Sequence, residues 1–412
     1  MRDLSIDFLG FKCKNPFFLA ASPVARTGDM VSRAFEAGWG GVMTKSVAAS
    51  QDLPDHGLSP RFVGVRSGGV GNRLQRTYTG LGNIDFRIDM SVKETFAGFE
   101  RAKVAHPDHM LVTSIKCNFI EDEWKMMAKH CVDAGGDAIE LCLSCPDNSG
   151  LPTCCSLDGT KPVLEWVKAV TDLPVIVKMS AHVDSIGALA KAAFANGADA
   201  VSGINTIKAI GGLNLYTNQM IPNIEGHSSV VGLGGGMIKP VAEYCVYEMA
   251  RANPGKPISG IGGVTCGVDA LEFLLLGART VQVASHVMFE GYELVEDLQQ
   301  SLSTYLEKTG AASVEDIIGT KIDEVYPATS FLSRKQQLRA WIDPEKCIGC
   351  GRCHVACRDG AYQAIDIDAD RQCKVDREKC VGCGLCRIVC PVPGAIRYSW
   401  ENDETQILDE LM

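Results

Sequence analysis

Short apolar runs alternate with amphipathic stretches along the first three-quarters of the chain. Eight runs have strand length: FFLA (17–20), GGVMTK (40–45), MLVTSI (110–115), DAIELCL (137–143), PVIVKM (174–179), AVSGIN (200–205), PISGIG (257–262) and TVQVAS (280–285). Between them lie helix-like stretches such as MVSRAFEAG, EWKMMAKHCVDAG, VLEWVKAVTD, SIGALAKAAFANG and VDALEFLLLGA, several ending in Gly or Asn-Gly, a normal helix stop. Eight β–α alternations of this kind predict an α/β fold, a (β/α)8 TIM barrel over residues 1–312. A doubly wound sheet would want G-x-G-x-x-G after a strand. Neither that fingerprint nor a G-x-x-x-x-G-K-[ST] phosphate loop occurs.

A barrel builds its site at the C-terminal ends of its strands. Those ends carry Ala21, Ser22 and Pro23 after the first run, Lys45 after the second, Lys178 on the fifth, Asn205 and Thr206 after the sixth, Gly260, Gly262 and Gly263 on the seventh and Ser285 on the eighth. Small residues on the last two let backbone N–H groups approach phosphate oxygens. A lone lysine on an apolar strand usually snorkels to the edge. Two that converge on a phosphate-type site suit a flavin, because positive charge near the isoalloxazine stabilises its reduced anion.

Composition narrows the class. Of 412 residues, 46% are hydrophobic, and no run of eighteen apolar residues offers a membrane span. The start, MRDLSIDFLGFKC, has no basic region followed by an apolar core, so a cytoplasmic location with few structural disulfides is expected. A formal charge of −10 argues against a nucleic-acid partner.

The chain has 18 cysteines, and eight of them form two copies of C-x2-C-x2-C-x3-C: Cys347, Cys350, Cys353, Cys357 and Cys380, Cys383, Cys386, Cys390. This is the bacterial two-cluster ferredoxin spacing, in which the fourth cysteine of each run serves the other cluster. It assigns one [4Fe–4S] cluster to Cys347, Cys350, Cys353 and Cys390, and the other to Cys380, Cys383, Cys386 and Cys357. Zinc knuckles use paired C-x2-C units with a long gap, a poorer match. The expected organisation is a barrel (1–312), a linker (313–339), a ferredoxin-like two-cluster domain (340–399) and an acidic tail (400–412) read as a surface helix. The eight histidines show no metal-binding spacing.

Taken together, Ser-Cys-Pro after the fourth strand, lysines on the second and fifth, Asn-Thr after the sixth and Gly-Ile-Gly-Gly after the seventh resemble the dihydroorotate dehydrogenase fold. With the two cluster motifs, nearly the whole chain resembles the pyrimidine-reducing half of the dihydropyrimidine dehydrogenase family, and its separate bacterial subunit. The resemblance implies that Ala21, Ser22, Lys45, Lys178, Asn205, Thr206, Gly235, Gly262, Gly263 and Ser285 hold FMN or border the substrate. It implies hydride transfer from FMN to a ring double bond, with a cysteine on the loop after the fourth strand protonating the neighbouring carbon. One of Cys154 and Cys155 falls at that position, Cys155 being preferred, while Cys145 is expected to be a buried thiol near the flavin. A cysteine is protonated at neutral pH yet able to release its proton.

Two departures bear on substrate. The family pattern Asn-x-Ser-Cys-Pro, whose asparagine reads an amide edge, is here Cys142-Leu143-Ser144-Cys145-Pro146. The substrate-facing asparagine after the third strand aligns with Ile120, and Asn118 lies two residues earlier. A thiol is a poorer hydrogen-bond partner than a carboxamide. The substrate-facing set is therefore Asn83, Asn118, Cys142, Ser144, Asn205 and Thr206. The substrate is a pyrimidine such as uracil or thymine, or another unsaturated N-heterocycle or conjugated carbonyl. Residues 46–82 read as an insertion that either covers the substrate or is a solvated surface excursion, and GLGGGMIKP (232–240) as a Gly-rich turn. Without a dinucleotide fingerprint, electrons are expected from a partner, either an NAD(P)H-oxidising FAD/iron–sulfur subunit or a ferredoxin, in a hetero-oligomer or homodimer. A non-catalytic electron-transfer subunit with a scaffold barrel is the competing expectation, and FMN content separates the two.

Overall fold

The structure, a computed structural model, describes residues 2–50, 60–65, 79–85, 88–144, 157–326, 337–400 and 403–408. Cys145, Cys154 and Cys155 lie outside the described residues, as does much of 46–82. The chain divides into two compact units, Met1–Glu324 and Val325–Met412.

In the first unit the eight expected runs become eight parallel strands: β1 (Phe17–Leu19), β2 (Gly41–Met43), β3 (Met110–Lys116), β4 (Ala138–Cys142), β5 (Val175–Met179), β6 (Ala200–Gly203), β7 (Ile258–Ile261) and β8 (Thr280–Val283). Each pairs with the next, and β8 pairs with β1 through Val281↔Phe17, which closes the barrel. Nearly every residue of these strands is buried. That is why the runs are continuously apolar: one side of each strand faces the barrel interior and the other faces helices. The helices start and stop where local chemistry dictates. Ser91 and Glu94 form a reciprocal capping box on Val92–Ala105, and Gly38, at φ 103°, ends Gly28–Ala37.

The loops after β2 and β6 meet in a four-stranded antiparallel sheet, ordered Ile207–Ile210, Val230–Gly234, Gly80–Asn83, Phe62–Val65. The stretch 232–240 is therefore not a turn. Its first residues are a strand, followed by a 3-10 turn at Gly236–Ile238 and a helix from Lys239. Small residues suit it for sheet packing: a Cβ on Gly232 would lie 2.4 Å from Thr206 Oγ1, and one on Gly82 would lie 2.8 Å from Val231.

Residues 313–324, expected in a linker, pack on the barrel, with Val314 and Ile317 in its core. In the second unit, Leu338–Ile342, Ile396–Trp400 and Asp403–Leu408 form an antiparallel sheet beside helices Arg352–Gly360 and Leu385–Val389 and the hairpin Ile365–Ile367/Cys373–Val375. The acidic tail is thus not a helix. Ser399↔Ile407 and Tyr398↔Leu408 pair it with the preceding strand, whose open edge satisfies backbone groups that an isolated short helix would leave to water. No helix among the described residues is long and apolar enough to cross a membrane.

Candidate active site and cluster cavities

A cavity of about 900 Å³ opens at the C-terminal ends of the barrel strands. Its wall contains every candidate cofactor residue: Ala21, Ser22, Lys45, Lys178, Asn205, Thr206, Gly235, Gly262, Gly263 and Ser285. Asn83, Asn118 and Ser144 are there as well. Cys142 is not in the wall. It is buried on β4 behind Asn205, whose Nδ2 lies 3.7 Å from its sulfur.

Both lysines are buried and paired, and their partners come from outside the strand-end inventory. Lys178 Nζ stands 3.5 Å from Glu140 Oε1. Glu140, on β4, also accepts from Ser114 (3.1 Å) and Ser202 (2.8 Å), so three strands hold one carboxylate inside the barrel. Lys45 Nζ donates to Asp85 Oδ2 (2.6 Å) and to the Asp85 carbonyl (2.9 Å). Arg26 (2.8 Å) and Arg61 (3.0 Å) reach the same carboxylate, which is wholly inaccessible to solvent. Burial lowers the Lys45 ammonium, with Asp85 opposing. Burial alone would raise Asp85, but Lys45 and the two arginines outweigh it and hold the carboxyl below its ordinary range. An acid in the apolar run DAIELCL announces a buried partner for Glu140. Nothing local marks Asp85.

Asn205 Nδ2 donates to Ser144 Oγ at 2.8 Å, and its Oδ1 accepts from the Thr206 N–H. Asn83 Nδ2 donates to the Gly232 carbonyl across the small sheet, and Asn118 Nδ2 to Glu123. Each amide is therefore oriented by protein contacts. At the mouth, Gly263 (φ 82°) passes so close to Lys239 that a Cβ would lie 2.5 Å from its backbone, and Gly235 (φ 85°) crosses over Gly80. Only glycine fits such positions. Among the described residues, two buried wall atoms, Ser22 Oγ and Gln282 Oε1, have no protein partner.

The second unit encloses two small cavities among its cysteines. Cys347, Cys350, Cys353 and Cys390 line one; Cys357, Cys380, Cys383 and Cys386 line the other. Each cavity thus takes three cysteines from one run and the last from the other. Among the described residues no three metal-ligating side chains converge on a single-ion site. Zinc needs its thiolates within about 2.3 Å of one point, whereas a cube spreads them over four corners.

Residues 3–306 match the dihydroorotate dehydrogenase family, and residues 340–398 match the 4Fe-4S dicluster domain. The NAD-dependent dihydropyrimidine dehydrogenase subunit PreA of Escherichia coli is 36% identical over 372 residues, covering 89% of this chain and 88% of its own. The chloroplastic dihydropyrimidine dehydrogenase (NADP(+)) of Arabidopsis thaliana is 30% identical, covering 81% and 80%. The dihydroorotate dehydrogenase B (NAD(+)) catalytic subunit of Thermococcus kodakarensis is 33% identical, covering 78% and 98%. The crystal structure of DHODH from Eimeria tenella in complex with ferulenol superposes with a TM-score of 0.63 at 18% identity, over 77% of this chain and 88% of that one, a likeness of fold. A closed barrel with its cavity at the strand ends, joined to a 4Fe-4S dicluster domain and matched along nearly its whole length by dihydropyrimidine dehydrogenases, makes this chain an oxidoreductase acting on CH–CH bonds that belongs to the dihydroorotate dehydrogenase family.

Proposed function

We propose that the chain reduces the ring C=C of a pyrimidine base, uracil or thymine, with FMN in the barrel and electrons relayed through two [4Fe–4S] clusters from a separate partner. That partner is an NAD(P)H-oxidising FAD/iron–sulfur subunit or a ferredoxin. The observation that carries this reading is the convergence of Lys45, Lys178, Asn205, Thr206 and the strand-end glycines on one cavity.

The residues fit the flavin. Gly235, Gly262, Gly263 and Ser285 leave room for phosphate oxygens beside backbone N–H groups. Gln282 Oε1 and Ser22 Oγ are buried polar atoms that a polar ring would partner. Bound FMN would supply the hydride to one ring carbon. Lys178 and Lys45 hold positive charge at the wall, where negative charge develops. Asn205, locked by Ser144, and Thr206 orient the substrate's amide edge, and Asn83 and Asn118 stand at the same wall. The proton for the neighbouring carbon comes from Cys155, with Cys154 as the alternative. Cys155→Ser should slow substrate reduction about a hundredfold, because a hydroxyl is a far weaker acid than a thiol. If Cys154→Ser has that effect and Cys155→Ser does not, the roles are exchanged.

The eight cysteines are proposed as cluster ligands in the sets that line the two cavities. Cys390→Ala should remove the cluster that also uses Cys347, Cys350 and Cys353, halving the iron content and sparing the other cluster's EPR signal. Loss of both signals would contradict that division.

The function itself is tested by reducing the anaerobic holoprotein and adding uracil or thymine while following flavin absorbance. Rapid reoxidation is expected. A flavin that binds and stays reduced overturns the pyrimidine assignment and directs the search to rings without a uracil-like amide edge; protein that binds no flavin overturns the catalytic reading altogether.

A further inference from the structure

A ninth cysteine stands with the eight. Cys373 begins the second strand of the hairpin Ile365–Ile367/Cys373–Val375, opposite Ile367, and is 8% exposed. It belongs to neither C-x2-C-x2-C-x3-C run, yet it lines the same cavity as Cys347, Cys350, Cys353 and Cys390. Its thiol therefore shares one cavity wall with the Cys347, Cys350 and Cys353 thiols. The remaining wall is apolar, with Ile342, Ile348, Val392 and Ile396. Among the described residues, the other cavity has four cysteines and no fifth.

The hairpin is built against the first cysteine run. Arg371, in its turn at φ 60°, donates from Nε to the Gly349 carbonyl at 2.9 Å. A Cβ on Gly349 would lie 2.8 Å from the Arg371 carbonyl oxygen. Cys373 is therefore held at the cavity by a close backbone approach and by the Arg371 side chain. A [4Fe–4S] cube is complete with four thiolates. A fifth thiol beside it keeps its S–H, and in an apolar wall the acceptors within reach are cluster and ligand sulfurs. Hydrogen bonds to those sulfurs stabilise the more negative, reduced cluster and raise its potential.

We propose that Cys373 is a non-ligating fifth thiol of the first cluster that donates its S–H to the sulfurs there and raises that cluster's potential, with no counterpart at the second. This rests on the reading that the two cavities hold [4Fe–4S] clusters. The test is an EPR-monitored redox titration, with iron analysis, of the full chain as wild type, C373A, C373V and C373S. Cys390→Ala identifies the first cluster's wave.

All three Cys373 variants should keep the wild-type iron content. In C373A and C373V the ratio of reduced to oxidised first cluster, at the wild-type midpoint, should fall about threefold to tenfold, tenfold being about 59 mV for one electron. C373S retains a donor and should stay within about twofold of wild type, and the second wave should not move in any variant. An unshifted first wave in C373A and C373V, or an equal fall in C373S, overturns the proposal. Loss of half the iron in the alanine and valine variants but not in serine would make Cys373 a ligand, which also overturns it. Wild-type protein without iron would instead sink the cluster reading itself.

Discussion

Lys178→Met is expected to slow substrate reduction about a thousandfold in single-turnover measurements, while the protein retains its iron and folds. Lys178 projects from β5 into the cavity wall with its side chain 5% exposed. Removing one preorganised charge-stabilising donor from a buried site lowers rates by about 10²–10³. The upper end applies because Glu140 adds to the loss: without Lys178 its carboxylate is a buried negative charge beside the place where the proposed flavin would accept negative charge. Ser114 and Ser202 still hold that carboxylate, so it does not swing away. The double variant Lys178→Met/Glu140→Gln separates the two contributions. It should recover the thermal midpoint lost in the single variant, because the unpaired charge is gone, yet remain slow. If the double variant regained the rate, Lys178 would be only a counter-ion for Glu140.

Asp85→Asn should destabilise the barrel unit by about 3–5 kcal/mol, the loss typical of breaking a buried ion pair from one side. The carboxylate has no solvent exposure and meets Lys45, Arg26 and Arg61 together. An amide satisfies some of the hydrogen bonds and none of the charge. The effect has a defined pH dependence. Asp85 in the wild type has a depressed pKa, so its contribution is present above the ordinary aspartate value of 3.8 and is lost as pH falls through its folded value. Wild type and variant should therefore converge in acid. Lys45 is also depressed, by burial, so the folded state binds fewer protons there than the unfolded chain and stability rises with pH below 10.5. Removing Asp85 takes away the group that opposes this shift. The variant's deficit should shrink as pH rises toward 10.5, because Lys45, pushed further down without Asp85, loses its proton before the unfolded chain does. Chemical denaturation at pH 7, at pH 10 and through the acid range below 3.8 checks all three points; a deficit independent of pH would mean that Asp85 acts through packing and not through charge.

The barrel was legible because its signal is local and repeated. A strand buried on both sides must be apolar throughout, and eight such runs with helices between them admit few topologies. The cluster motifs were legible because ligands on one tight loop need fixed spacing. Lys45 and Lys178 could be singled out because strand ends in a barrel are strand ends in the chain. The tail misled because its acidic residues resemble a solvated helix face, and only the edge of Ile396–Trp400 makes it a strand. The glycines of 232–240 read as a turn because close packing and chain reversal call for the same residue.

Sequence alone determined the fold class, the cluster spacing and the positions of the strand-end residues, since each follows from interactions between near neighbours in the chain. Tertiary structure alone decided what those residues meet. Asp85 reaches Lys45 across 40 residues and Glu140 reaches Lys178 across 38, and no periodicity encodes such pairs. The same holds for Cys373, an unremarkable cysteine between two motifs until the hairpin folds it into the wall of a cluster cavity. A buried charge or thiol takes its chemistry from whatever excludes water around it, and that is settled only when distant segments pack.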